Sequence, residues 1–140
     1  AALRTARHRA RLHCVGQVHT MLADLERYRA MHCIGDPVAA LQRAECLYRS
    51  ALEVFPQIGQ AFNQRGLLAA HRGDRFGAVL CGFRALLCTC SFPNSKENLL
   101  VWLRHLSEPS PTGSAAGLAG GVAVQSLMRK TAGISGSPRE

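Results

Sequence analysis

Arg29 and Asn63 are the first residues of this chain whose types and spacing suggest chemistry. They lie 34 positions apart, in a stretch where Tyr28 and Phe62, Ala44 and Ala78, and Ala51 and Ala85 recur at the same offset. A guanidinium and a carboxamide at like places in successive helix hairpins would line one inner face. There the guanidinium can take a phosphate or carboxylate through two parallel N–H bonds, and the amide can hold a peptide backbone. Arg27, beside Tyr28, is the neighbouring cation; its other reading is a surface ion pair with Asp24, three positions earlier. Asn63 has a second reading as well, capping or bridging a helix. Arg65, His71, Arg72 and Arg75 gather about Gly73-Asp74, as a solvated rim or as a contact to RNA or a phosphopeptide.

Other chemistry finds little material. There is no GxSxG, HExxH or P-loop string, and Asp24 and Glu26 would face different ways on a helix. No enzyme is expected. Six cysteines (14, 33, 46, 81, 88 and 90) form no CxxC pair and share no finger spacing with histidine, so no metal or other cofactor is expected. Cys14, Cys46 and Cys81 sit among apolar residues and read as reduced, structural thiols, which points to the cytoplasm or nucleus.

Charge narrows the partners. Seventeen Lys and Arg against nine acids leave a formal charge of +8. The preferred partner is anionic: a nucleic acid, bound weakly, or an acidic or phosphorylated protein. Aromatic residues are 6% and scattered, which argues against a stacking platform for single-stranded bases. No apolar run reaches the roughly 18 residues that span a bilayer, so no membrane partner is expected.

These residues must be positioned by helices. Leu12, Val15, Val18, Leu22 and Leu25 recur at three- and four-residue steps, the apolar face of a long first helix. Gly35-Asp36-Pro37 ends it and starts a second, whose stripe is Val38, Leu41, Cys46, Leu47, Ala51 and Leu52. Pro56 and Gly59 break the chain again. A third helix reaches about Arg72, and a fourth runs from Arg75 to about Cys90. Ser95 is expected to cap a fifth that carries Leu99, Trp102 and Leu106. Residues 1–106 thus read as one helical domain. Residues 107–140, rich in Gly, Ser and Pro, read as a flexible, disordered tail in which 122–130 could form a transient helix.

Ala44, Tyr48, Ala51 and Pro56 in the second helix, with Gly66, Ala78 and Ala85 after it, carry the marks of a tetratricopeptide (TPR) repeat. Small Ala lets paired helices approach, and each hairpin hides its apolar face only by stacking on the next. His32 and Gly82 depart from that pattern. Arginines crowd the first turns, where the helix dipole favours acids. The expectation is a domain whose earlier helices are missing, or one that pairs with another chain.

The strings HCVGQVHTMLADLERYR, PQIGQAFNQRGLLAAHRGDRFGAVLCGFRALL and SFPNSKENL resemble the SMG adaptors of nonsense-mediated mRNA decay and the related Est-one telomerase subunit. The resemblance covers about residues 8–102. It implies an all-α fold of TPR-like and 14-3-3-like antiparallel hairpins, about five helices here. It also implies a phosphoserine groove. Asp24-Leu25-Glu26-Arg27-Tyr28 matches the family's phosphate motif, with Ala23 in place of its Gly. Pro56, Gly59 and Asn63 match its peptide motif. Arg27 would then be the phosphate ligand, Tyr28 its hydroxyl support and Asn63 the peptide clamp; Arg29, from its repeat position and not from the family motif, is a further candidate phosphate contact. A further basic residue, which the family takes from an earlier helix, has no counterpart in this sequence. The implied partners are the phosphorylated RNA helicase of the decay pathway and a sister SMG adaptor, as a heterodimer. The alternatives are a TPR scaffold for unphosphorylated peptides and a basic module for RNA or DNA.

Overall fold

A computed structural model describes residues 2–108 as five helices: α1 (Ala2–Met31), α2 (Pro37–Val54), α3 (Gly59–His71), α4 (Arg75–Leu87) and α5 (Ser95–Ser107). The expected tail, with its 122–130 segment, falls almost wholly outside the described residues. Successive helices pack as hairpins, α1 on α2 and α3 on α4, and α5 closes over the second hairpin. The all-α fold of about five helices is thus borne out. Among the described residues no helix is long and apolar enough to cross a membrane.

Local chemistry sets the breaks. At the end of α1 the Ile34 amide reaches back to the Arg29 carbonyl, with Cys33 in the left-handed region at φ 53°. At the end of α3 the Asp74 amide bonds the Ala69 carbonyl in the same way, with Gly73 at φ 81°. Asp36 caps α2 by accepting from the Val38 and Ala39 amides, and Pro37 occupies the first turn. Asp74 caps α4 through the Gly77 amide. The expected cap of α5 differs: Asn94 holds that place without a side-chain bond, and Ser95 is the first helical residue, fully buried.

Packing rests on small residues. Ala23, Ala44, Ala51 and Ala61 with Tyr48, Phe55, Ile58 and Leu68 form one core between the hairpins. Trp102, Leu99, Leu67, Ala69, Ala78 and Val79 form a second, where α5 lies on α3 and α4. Gly66 and Gly82 both lie against the Trp102 ring, so the glycine that replaces an aromatic in the repeat makes room for a tryptophan from the next helix.

Pro56-Gln57-Ile58-Gly59 is the junction of the two hairpins. The Gly59 amide bonds the Cys90 carbonyl, and the Gln57 side chain accepts from both the amide and hydroxyl of Thr89. A Cβ on Gly59 would lie 2.7 Å from the carbonyl oxygens of Ala85 and Cys90.

Two expected apolar faces are corrected. Val15, Val18, Leu22 and Leu25 are between 44 and 60% exposed, while α1 buries Gly16, Thr20, Ala23, Arg27 and Ala30. In α2, Val38 and Cys46 are exposed and Ala40, Ala44, Tyr48 and Ala51 are buried. Close helix contact selects small residues, which a search for large apolar side chains passes over. Cys14 and Cys46 accordingly lie on the surface and not in the core.

Candidate functional site

A buried cation sits where α1, α2 and α3 meet. Arg27 is 1% exposed. Its guanidinium lies 3.6 Å from the Asp24 carboxylate, donates to the Tyr48 hydroxyl at 3.4 Å and to the Met31 sulfur at 3.3 Å, and stacks 4.4 Å from the Tyr28 ring centre. Tyr48 in turn donates to Asp24, whose second oxygen accepts from Gln60 at 3.2 Å. The Asp24–Arg27 pair is therefore internal, not the surface pair that the sequence offered as its alternative. The guanidinium lies against the ring face of Tyr28, and Tyr48 supplies it with a hydroxyl as well.

The electrostatics follow from this enclosure. Burial opposes the charge on Arg27, but Tyr48 and Asp24 outweigh it and hold the guanidinium protonated more firmly than usual. Burial, with the Asp24 carboxylate beside it, drives the Tyr48 phenol well above the ordinary tyrosine range. Arg29 lies on the surface with Glu26 at 3.0 Å, and Arg43 holds the other oxygen of Glu26 at 2.9 Å. The Arg43 hydrogen bond, aided by Arg29, keeps Glu26 below the usual carboxylate range despite some desolvation.

Asn63 occupies a second polar site, fully buried between α3 and α5. Its carbonyl oxygen accepts from the Asn98 amide at 2.9 Å, while its own amide nitrogen has no partner. Gln64 Oε1, Ser95 Oγ and Trp102 Nε1 are also buried and unpartnered. Sequence reading had singled out neither Asn98 nor Gln64; their polarity inside an apolar helix face is the signal that marks them. The same holds for Tyr48 as a partner of Arg27, whereas Asp24 stands in the sequence as its ion-pair alternative.

The register separates Arg29 from Asn63. Gly16 and Gly59 stand at like places in the two hairpins: a Cβ on each would abut the carbonyl oxygen of Ala51 and of Ala85, at 3.2 and 2.7 Å. Ala51 and Ala85 are 34 positions apart, as the repeat requires, but the two glycines are 43 apart. The first hairpin is longer by nearly a turn on each helix. Thr20, fully buried and bonded to the Gly16 carbonyl at 2.9 Å, holds the place of Asn63 in the first hairpin. Arg29 and Asn63 do not line one face.

The basic group about the α3–α4 turn is largely engaged. Arg65 and Arg72 both bind Glu45, at 3.0 and 3.3 Å, and Arg75 donates to the carbonyls of His105 and Glu108. No set of three His, Cys, Asp or Glu side chains among the described residues could hold a metal ion.

Residues 44–109 match the family described as the Est1 DNA/RNA binding domain. Over 81 residues, 57% of the chain, the sequence is 31% identical to the nonsense-mediated mRNA decay factor SMG7 of Arabidopsis thaliana, and covers 8% of that protein. It is 38% identical over 78 residues to the human nonsense-mediated mRNA decay factor SMG5, 56% of the chain and 7% of that protein. The SMG7 of Danio rerio is 32% identical over 87 residues, 62% of the chain and 6% of the relative. The chain thus spans less than a tenth of the length of these relatives. No solved structure matches it. The resemblance read from the sequence, to the SMG and Est-one family, holds.

Proposed function

From the kinship of this chain with the SMG and Est-one family, we propose that it is part of a non-catalytic adaptor in nonsense-mediated mRNA decay that takes a phosphorylated protein segment in a 14-3-3-like, TPR-type groove. The observation that carries this reading is the buried guanidinium of Arg27, charged, stacked on Tyr28 and fixed by the Tyr48 hydroxyl. A phosphoserine brings a charge of about −1.5 to −2 and three acceptor oxygens. In this mechanism one of those oxygens takes the place of the Asp24 carboxylate at Arg27, and the Tyr48 hydroxyl turns its proton from Asp24 to the phosphoryl group. The unpartnered Asn63 amide would be the spare donor for the peptide backbone, and because Asn63 and Asn98 are buried, α5 would have to move aside for the peptide to reach it. Arg29 would add charge at the rim. By family resemblance the partner is the phosphorylated RNA helicase of the pathway, with a sister SMG adaptor as a second. The protein would act in the cytoplasm, and in the nucleus where that partner is present.

The test is binding of phosphoserine peptides, against dephosphorylated controls, to the full chain and to Asp24→Asn and Arg27→Gln. Phosphate-dependent binding that strengthens in Asp24→Asn, where the competing charge is gone, and fails in Arg27→Gln supports the reading. A helical wild-type protein indifferent to phosphate defeats it, and leaves a TPR scaffold for unmodified peptides.

A second reading follows from the description of the matched family, a DNA/RNA binding domain. Within that stretch Arg49, Arg84 and Arg104 are exposed. Nucleic-acid binding through them would weaken steeply with salt and ignore sequence.

A further inference from the structure

Cys88-Thr89-Cys90 closes the second hairpin against the junction. The chain leaves α4 extended at Cys88, the residue that caps that helix, and turns at Thr89. The segment is pinned to Pro56-Gln57-Ile58-Gly59 by its own bonds. The Cys88 thiol donates to the Pro56 carbonyl at 3.8 Å, and the Thr89 amide and hydroxyl each reach Gln57 Oε1 at 3.0 Å. The Cys90 amide donates to the Gln57 carbonyl at 3.3 Å, and the Cys90 carbonyl accepts from the Gly59 amide at 2.9 Å. Consecutive Cα atoms are about 3.8 Å apart, so the two cysteines lie within about 7.6 Å even fully extended; a turn between them draws them toward the roughly 4.4–6.8 Å that a disulfide needs. Cys14, Cys33 and Cys46 belong to the first hairpin, and Cys81 lies about two turns back along α4. The pairing is thus set by consecutive residues and by bonds within the chain. The two thiols differ. Cys88 is half-buried, and burial, with Cys90 beside it, pushes its thiol up. Cys90 is exposed.

We propose that Cys88 and Cys90 are a reversible dithiol–disulfide site, oxidised by a low-molecular-weight disulfide of the glutathione class and coupled to the junction between the hairpins. The Cys90 thiolate attacks one sulfur of the small disulfide and expels the other as a thiolate, which takes up a proton. Cys88 then loses its proton and attacks Cys90 Sγ, and a second small thiol leaves. The two protein thiols are oxidised, the small disulfide is reduced to two thiols, and the protons pass from the former to the latter. Closing the ring turns Cys88 Sγ from the Pro56 carbonyl toward Cys90 and tightens the backbone at Thr89. The bonds from Thr89 and Cys90 to Gln57 hold the open form. The folded junction therefore resists closure, and closure loosens the junction. A disulfide opposed in this way is labile, formed and broken as the surrounding thiol pool changes. Zinc needs a fuller ligand set than this pair, and no third His, Cys, Asp or Glu joins it among the described residues.

The full chain is equilibrated in buffers of reduced and oxidised glutathione, quenched with acid, alkylated, digested and mapped by mass spectrometry. One intrachain bond is expected, between Cys88 and Cys90, reversed by excess dithiothreitol, with the other four cysteines forming none. Cys88→Ser should stop at a glutathione adduct on Cys90. Amide exchange followed by NMR reads the coupling to the junction. The Gly59 and Thr89 amides should exchange about tenfold faster or more in the oxidised chain and recover on reduction. The Cys88→Ser adduct should not show that change. Serine keeps the size of the side chain, and circular dichroism checks that the variant is folded. A wild type that accumulates the glutathione adduct on Cys90 while Cys88 stays free overturns the proposal, as does one that stays reduced at every glutathione ratio. So does pairing of either residue with Cys14, Cys33, Cys46 or Cys81. So does a Cys88–Cys90 bond that leaves exchange at Gly59 and Thr89 unchanged.

Discussion

Asn98 on α5 donates its side-chain amide to the carbonyl oxygen of Asn63 on α3 at 2.9 Å, across the apolar contact made by Trp102. This polar bond ties the last described helix to the second hairpin. Because Asn63 already has one unpartnered nitrogen, its remaining bond is costly to lose. Asn98→Ala should destabilise the fold by about 1–3 kcal/mol, and Asn63→Ala/Asn98→Ala should cost less than the sum of the two single changes. Urea unfolding followed by Trp102 fluorescence measures both.

Tyr48 links Asp24 to Arg27 from inside the first hairpin. Its phenol is protonated in the folded state to higher pH than in the unfolded chain, where tyrosine ionises near about 10. Above that pH the native state therefore holds a proton that the unfolded chain has released. The sign follows: the stability owed to Tyr48 is full below about pH 10 and falls as pH rises beyond it. Tyr48→Phe should remove this alkaline slope, and should also cost about 1–3 kcal/mol at neutral pH by leaving Asp24 and Arg27 short of a partner. Tyrosinate absorbance assigned by difference to Tyr48 should appear only as the chain unfolds.

Gly66 leaves no room for a methyl group: an added Cβ would lie 2.6 and 2.7 Å from ring atoms of Trp102. Gly66→Ala should cost about 1–3 kcal/mol through displacement of the indole, and Trp102→Leu should lessen that cost. Gly59→Ala should be worse, because its neighbours are the Ala85 and Cys90 carbonyls, which are backbone and cannot turn aside. Thermal melts of the four variants order these effects.

Cys33 closes α1 in a left-handed conformation that Gly73 supplies at the end of α3. A side chain there is strained by about 1 kcal/mol relative to glycine, so Cys33→Gly should stabilise the protein by up to that amount. The residue is exposed, so the gain is offset only by the greater freedom that glycine gives the unfolded chain. A rise in the unfolding midpoint checks it.

The chain order of the elements was legible in the sequence because the signals are local. Gly35-Asp36-Pro37, Gly73-Asp74 and Pro93-Asn94 end or begin helices through dihedral preference and capping, which act within a few residues. The recurrence of Ala44 with Ala78 and Ala51 with Ala85 was also readable, and both pairs are buried. So was the PQIG string, whose specificity traces to a crowded junction between hairpins.

What tertiary structure alone decided is which face of each helix is inward, and how far the hairpins slide. Periodicity located a stripe of large apolar residues on α1. Burial went instead to Gly16, Ala23 and Ala30, because short side chains let α2 come close, and that proximity is a property of two helices together. The 43-residue offset of Gly16 and Gly59 likewise reflects added turns in the first hairpin, which no fixed period describes. Arg27 became a buried cation only when Tyr48 and Gln60 arrived from elsewhere in the chain to meet Asp24. A sequence names the groups that can pair, but burial, and with it the strength of their pairing, exists only once the helices are stacked.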